Sequence, residues 1–336
     1  MRLLFAGGTG IISSACAELA AGRGHELFIL TRGRSRKHPP PDGAVLLDAD
    51  LGDEPGVPSG LLAGMQFDAV LDFLAFTQQD IERHLQLLRD KARQFVFISS
   101  ASVYQKPPAS YLIDETTPLE NVYSDYARGK IACENHLLRL HRESGLPITI
   151  VRPSLTYGPS QIPLVVGSWS HPWTVIDRIK HGRPLIVPGD GTSLWVMTWN
   201  ADFAKGLLGL LGNQAAIGEV FHITSDEVLT WDQIYRQTFE AVGASPVILH
   251  LPSEVIAAYW PHAHSSLLGD KVHSMVFDNR KIKSVVPDFD CEVTWAEGVR
   301  RAINWHHSHP QFQTVDHQLD ALMEQMVLAH SRSLPS

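Results

Sequence analysis

Tyr126 and Lys130 stand four residues apart in the run Ser124-Asp125-Tyr126-Ala127-Arg128-Gly129-Lys130. A phenol with an ordinary pKa of about 10 is a poor proton acceptor at neutral pH unless a cation favours the phenolate. Lys130 is expected to supply that charge. Residues four apart share one face of a helix, so the ammonium can sit beside the phenol and still donate to a bound ribose. The strand-like run Phe95-Val96-Phe97-Ile98-Ser99-Ser100 ends in two hydroxyls 26 residues before Tyr126. Ser100 can polarise a substrate oxygen and hold it against Tyr126, with Ser102 as a neighbouring polar contact. Ser100, Tyr126 and Lys130 form the predicted catalytic set, and its chemistry is hydride and proton exchange at a carbinol or ketone.

Such chemistry needs a carrier, and the chain opens with a phosphate-binding pattern. Gly7-Gly8-Thr9-Gly10-Ile11-Ile12-Ser13 lies between the apolar strand Arg2–Ala6 and a helical segment from Ile11 to Arg23. Small residues let the backbone approach a pyrophosphate, and the helix N-terminus offers unpaired N–H groups and a positive dipole end. Gly7, Thr9, Gly10, Ile11 and Ile12 are the predicted contacts. Ser13 stands where a third glycine usually permits close packing, so the helix is expected to sit slightly farther out.

The second strand runs into Thr31-Arg32-Gly33-Arg34-Ser35-Arg36-Lys37. A site selective for NAD places an acid here for the ribose 2′-hydroxyl, whereas a 2′-phosphate calls for arginine. No acid occurs between Thr31 and Asp42. Arg32 and Arg34 are therefore read as phosphate ligands and NADP as the cofactor, with NAD and a plain solvated basic loop left open. By topology, Asp50 and Leu51 follow the third strand beside the adenine. Phe73, Leu74 and Ala75 follow the fourth, beside the ribose and pyrophosphate, and Ser99 follows the fifth.

These residues need an alternating scaffold. Strand-like segments at Glu26–Leu30, Val45–Leu47, Ala69–Phe73, Phe95–Ser99 and Ile148–Val151 alternate with helical periods at Gln79–Leu88 and Ile131–His141. That pattern predicts an α/β chain of Rossmann type: a doubly wound parallel sheet with a smaller, insertion-built C-terminal lobe. Residues 1–160 with about 191–225 are assigned to the dinucleotide-binding domain, 161–190 and 226–310 to the substrate lobe, and 311–336 to a C-terminal helix and tail. The tail places Leu319, Leu322, Met323, Met326 and Val327 on one helical face, expected to pack on its own chain or a twin subunit.

Composition narrows the partners. With 336 residues and 44% hydrophobic content the chain buries a full core. A formal charge of -8 argues against nucleic acid as a main partner. Three scattered cysteines, no apolar run of about 18 residues and no leader pattern lead us to expect a cytoplasmic protein without disulfides or a membrane anchor. His262-x-His264 and His306-His307-x-His309 lack carboxylates or cysteines at ligand spacing, so no metal is expected. Of the many aromatic rings in the second lobe, two or three are expected to line a substrate pocket, Trp195 foremost.

The sequence resembles the extended short-chain dehydrogenase/reductases, the NAD(P)-dependent epimerase/dehydratase group. The resemblance rests on Gly7-Gly8-Thr9-Gly10, Asp50-Leu51, Ser99-Ser100-Ala101-Ser102-Val103-Tyr104, Tyr126 with Lys130, Arg152-Pro153-Ser154-Leu155-Thr156-Tyr157-Gly158-Pro159 and Gly189-Asp190-Gly191-Thr192. The closing run Glu297–Trp305 belongs to it as well. It implies Pro153 and Leu155 beside the nicotinamide, Ser102 and Tyr104 toward substrate, a sugar-nucleotide or similar hydroxylated small-molecule substrate, and a homodimer joined through the Tyr126 helix. Asp72–Thr77 and Thr31-Arg32-Gly33 are similar to an atypical branch that includes plant stem-loop RNA-binding relatives.

Two departures shape the expected reaction. Trp195 occupies the position where many members carry a diphosphate-binding arginine; Arg178, Arg183, Arg280 and Lys281 are the alternative cations, and Arg280 is taken as the substrate ligand. Ala101-Ser102 replaces the Asp-Glu pair typical of sugar 4,6-dehydratases, which disfavours water elimination. The expected enzyme is an NAD(P)-dependent epimerase or ketoreductase; the alternative is a non-catalytic NADP-binding redox-sensing or RNA-associated regulator.

Overall fold

The computed structural model describes residues 1–33, 37–51 and 60–333. Its main sheet has seven parallel strands. Five come from the first hundred residues: β1 (Arg2–Ala6), β2 (Glu26–Thr31), β3 (Val45–Asp48), β4 (Ala69–Asp72) and β5 (Phe95–Ile98). The strands Ile148–Pro153 and Val220–Ile223 complete it, giving the spatial order β3-β2-β1-β4-β5 followed by these two. The order reverses between β1 and β4, so a crevice opens beyond their carboxyl ends. β1, β4 and β5 are buried along nearly their whole length, which is why they read as unbroken apolar runs rather than alternating ones.

Helices α1 (Ile11–Gly22), α2 (Gln78–Leu88) and α3 (Asp125–Ser144) follow β1, β4 and β5. Thr77 caps α2 in a reciprocal box with Asp80, and Ser124 caps α3 by accepting from the Ala127 amide at 3.2 Å. Gly145 ends α3 in the left-handed conformation. Two apolar cores cover the two faces of the sheet, one built on Phe5, Ile29, Leu71 and Val96, the other on Leu4, Phe28, Val70 and Phe97.

The second lobe has its own core around Tyr157, Trp195, Trp199, Trp231 and Trp295. Three small sheets serve it, among them the pairing of Leu155–Tyr157 with Leu194–Trp199 and of the latter with Val228–Thr230. The C-terminal helix His317–Ser333 docks on its own chain: Leu319, Met323 and Met326 are buried in a core shared with Leu251, Ile256 and Leu267. Arg178 fastens it through Asp320 at 2.7 Å and Glu324 at 2.8 Å. Among the described residues no helix is long and apolar enough to cross a membrane.

Candidate active site

The glycine turn leads from β1 into α1. Gly7 takes φ +82°, and a Cβ there would meet Leu74 Cδ2 at 2.8 Å, so the turn and the segment after β4 close on each other. Ser13 turns inward and accepts from the Gly10 amide at 2.9 Å. Asn200 holds the turn from behind, donating to the Ile11 carbonyl at 2.8 Å.

Along this turn runs a cleft of two adjoining cavities, about 730 and 380 Å³, that share Thr9 and Phe76. The larger is lined by Gly10, Ile11, Ile12 and Phe73, and on its far wall by Ser99, Pro153 and Leu155. The smaller holds Gly7, Arg32, Asp50, Leu51 and Leu74. Ala75 lies beneath, fully buried, and contributes its carbonyl. The structure thus brings together the residues expected to contact the dinucleotide, apart from Arg34, which lies outside the described residues. Buried Ser99 Oγ has no partner and a glycine turn faces an open cleft, so the residues present fit a dinucleotide.

The expected basic cluster divides in two. Arg32 stays at the smaller cavity, with Nη1 3.4 Å from Asp50 Oδ2. Lys37 lines the larger one beside His38, whose Nε2 lies 2.9 Å from Ser160 Oγ.

Ser100, Tyr126 and Lys130 meet at the wall of the larger cavity. Lys130 is 2% exposed and donates to Ala75 O at 2.7 Å and Ile98 O at 2.8 Å, which leaves one of its three N–H groups for the cleft. Burial lowers its pKa to about 8, opposed chiefly by the nearby Asp72 carboxylate. Ser100 Oγ accepts from Ser102 Oγ at 2.9 Å and from the Ser102 amide at 3.2 Å, so its own proton is free to point at substrate or at Tyr126.

The electrostatics of Tyr126 are set by its surroundings. Lys130 Nζ lies 5.9 Å from the Tyr126 ring centroid and is engaged by two carbonyls. The Tyr126 pKa is raised by desolvation, and the hydrogen bond from Ser100 is what pulls it down.

Behind Lys130 sit residues that spacing did not expose. Asp72, fully buried at the end of β4, accepts from the Leu74 and Ala75 amides at 2.8 and 3.1 Å and contacts His84 Nδ1 at 2.6 Å. It shapes the segment whose Ala75 carbonyl holds Lys130. Gly129, between the two catalytic positions, has the Phe76 carbonyl oxygen 2.3 Å from where a Cβ would stand. No other residue lets α3 approach this segment so closely.

A third cavity of about 350 Å³ opens on the other side of Tyr126 and Ser100, lined by Ser102, Asn121, Trp195, Asp270 and Lys271. Ser102 and Trp195, two of the residues expected at the substrate, line this cavity. Tyr104 and Arg280 do not. Tyr104 is fully buried, its hydroxyl 3.2 Å from His222 Nδ1 and its ring beneath Arg152, because the short helical turn Ala101–Val103 directs it into the lobe core. Arg280 points to solvent and pairs with Asp278, two residues away.

Comparison with known proteins identifies the family and the fold. Residues 3–224 match the model of the NAD dependent epimerase/dehydratase family. The chain is 28% identical over 262 residues to the chloroplast stem-loop binding protein of 41 kDa b from Arabidopsis thaliana, covering 74% of this chain and 65% of that protein. It is 24% identical over 340 residues to a UDP-N-acetyl-alpha-D-glucosaminuronate decarboxylase of Bacillus cytotoxicus, covering 90% and 97%. Among solved structures, the UDP-glucose 4-epimerase of Thermus thermophilus in complex with NAD has the same fold, with a TM-score of 0.72 at 22% identity over 91% of this chain and 99% of that one. The chain belongs to the NAD dependent epimerase/dehydratase family, the extended short-chain dehydrogenase/reductase enzymes.

Proposed function

We propose that this enzyme carries out reversible hydride transfer at a secondary carbinol or ketone of a sugar nucleotide or a similar hydroxylated substrate, with NADP as its preferred cofactor. The observation that carries the reading is the meeting of Ser100, Tyr126 and Lys130 on the wall of the cleft that runs along the glycine turn, with Ser100 and Tyr126 also facing the cavity beyond. The Bacillus relative, named for a UDP-sugar activity, supports the substrate class.

When bound, the nicotinamide dinucleotide supplies the group that gives or takes hydride. The Thr9–Ile12 turn would hold its pyrophosphate, Asp50 and Leu51 its adenosine, and Pro153 and Leu155 its nicotinamide. Tyr126 exchanges a proton with the substrate oxygen, Ser100 donates to that oxygen, and the third N–H of Lys130 would hold the ribose. Release of the substrate after one exchange makes the enzyme a reductase. Rotation of the ketone before the reverse exchange makes it an epimerase, and the same three residues serve both. Pairing of two copies through α3, with α2 beside it, belongs to the same reading.

A regulator that binds NADP or RNA without catalysis is the second reading, supported by the relative named for stem-loop binding. The complete catalytic set and the charge of -8 weigh against it.

Cofactor choice is tested by equilibrium titration with NADPH and NADH. A charge-assisted contact to the 2′-phosphate is expected to favour NADPH by roughly 10- to 100-fold, and Arg32→Asp to abolish the preference. Equal affinities in the parent protein would remove NADP from the reading.

Lys130 adds a pH dependence. With its pKa lowered to about 8, the ammonium is charged below that pH and neutral above it. Cofactor affinity is expected to hold up to pH about 8 and weaken beyond, with no such limb in Lys130→Met. Between that pH and the ordinary lysine range the unfolded chain binds the proton that the native protein has released. The destabilising cost of burying Lys130 therefore shrinks as pH rises through this window.

A further inference from the structure

Of the charged side chains lining the cavity beside Tyr126 there are two among the described residues, Asp270 and Lys271. Lys271 also lines the next cavity, an apolar annex of about 400 Å³ walled by Ile162, Pro163, Leu164 and Trp260. It stands between the catalytic hydroxyls and the annex.

Its position is built from several directions. Lys271 closes the π-helical turn Leu267–Lys271, and its carbonyl accepts from Trp231 Nε1 at 3.0 Å. Its ammonium lies 4.2 Å from the centroid of the Trp195 ring, which itself stacks on Trp231 at 5.7 Å. Asp270 pairs with it and, at 3.0 Å, with Lys106, whose side chain is completely buried. Two lysines share one carboxylate, and of the two Lys271 is the one that faces the cavity while Lys106 is buried behind it. Trp195 Nε1 is buried there without a partner.

The other cations considered for this task are engaged elsewhere. Arg178 and Arg183 bind Asp320 under the C-terminal helix, Arg280 pairs with Asp278, and Lys281 pairs with Glu219.

We infer that Lys271 is the anion-reading residue of the substrate site. The substrate carries a phosphoryl or carboxylate group between the carbinol presented to Tyr126 and an apolar or aromatic remainder seated in the annex. This rests on the hydride-transfer reading of the same site. Trp195 is then the platform that holds the ammonium in place, and Asp270 with Lys106 sets its direction.

The test is calorimetric binding to the full-length, cofactor-loaded protein with two matched pairs of probes. UDP and uridine differ by phosphoryl charge; glucuronate and glucose differ by carboxylate charge. In the parent protein the anionic member of one pair is expected to bind at least about tenfold tighter than its neutral partner, and that pair identifies the anion. Lys271→Met is expected to erase the difference while leaving the neutral member within about twofold, a separation that mere structural damage does not produce. Absence of any anion preference in the parent protein, or its survival in Lys271→Met, overturns the inference. Failure of the protein to bind the nicotinamide cofactor at all would instead count against the hydride-transfer reading.

Discussion

Tyr126→Phe is expected to lower turnover by roughly 100- to 10,000-fold while leaving cofactor affinity unchanged. The substitution removes one oxygen. It keeps the ring, which packs 6.0 Å from Phe76, and it keeps the first turn of α3, capped by Ser124. The loss corresponds to roughly 3–5 kcal/mol of barrier, the cost of leaving a substrate oxygen without its proton partner. Because desolvation raises the Tyr126 pKa, the phenol is protonated at neutral pH and ready to donate when a ketone is reduced; in the opposite direction turnover should climb with pH. Steady-state kinetics beside a cofactor titration separates the two effects. A variant that turns over within about threefold of the parent would remove Tyr126 from the chemistry.

The second large effect concerns stability. Glu134 on α3 and Arg152 on the strand Ile148–Pro153 form a buried ion pair, with Nε–Oε1 at 3.0 Å and Nη2–Oε2 at 2.6 Å. The guanidinium also donates to Glu115 O at 3.2 Å and lies 4.9 Å from the Tyr104 centroid. Both partners are almost fully removed from solvent. Deleting the carboxylate strands a buried cation, so Glu134→Ala should cost about 3–5 kcal/mol in urea unfolding, against about 0–1 kcal/mol for an exposed pair. The pair ties the helix carrying Tyr126 and Lys130 to the strand that ends at Pro153, so surviving folded protein should also show weaker cofactor binding. A loss below about 1 kcal/mol would mean that α3 is held by its apolar face alone. Glu134→Gln, which keeps a hydrogen-bond acceptor, should fall between the two.

Much of this architecture was legible because the parallel strands are buried on both faces and spell unbroken apolar runs, and because four-residue spacing has one meaning on a helix. Tyr126 and Lys130 needed only that rule. The strand Val220–Ile223 escaped because four residues following a loop-rich stretch carry no usable period. Lys37 was grouped with Arg32 by proximity in sequence, yet it lines the larger cavity while Arg32 stays at the smaller one. Tyr104 was assigned to substrate by resemblance, and a three-residue helical turn buries it instead. Asp72 and Lys271 act through tertiary approach: one from a strand end through backbone amides, the other from a π-helical turn with no amphipathic signature. Neither role is encoded in local spacing.

The central claim is hydride chemistry at this site, and the reduced nicotinamide reports it through its near-ultraviolet absorbance. Cofactor-loaded protein should be mixed rapidly with a panel of nucleotide sugars and keto-sugars, and the same samples analysed for sugar products. The account predicts a change in that absorbance with at least one sugar, transient for an epimerase and lasting for a reductase, and its loss in Tyr126→Phe. A sugar converted with no absorbance change at any time, or with a change that persists in Tyr126→Phe, would contradict it.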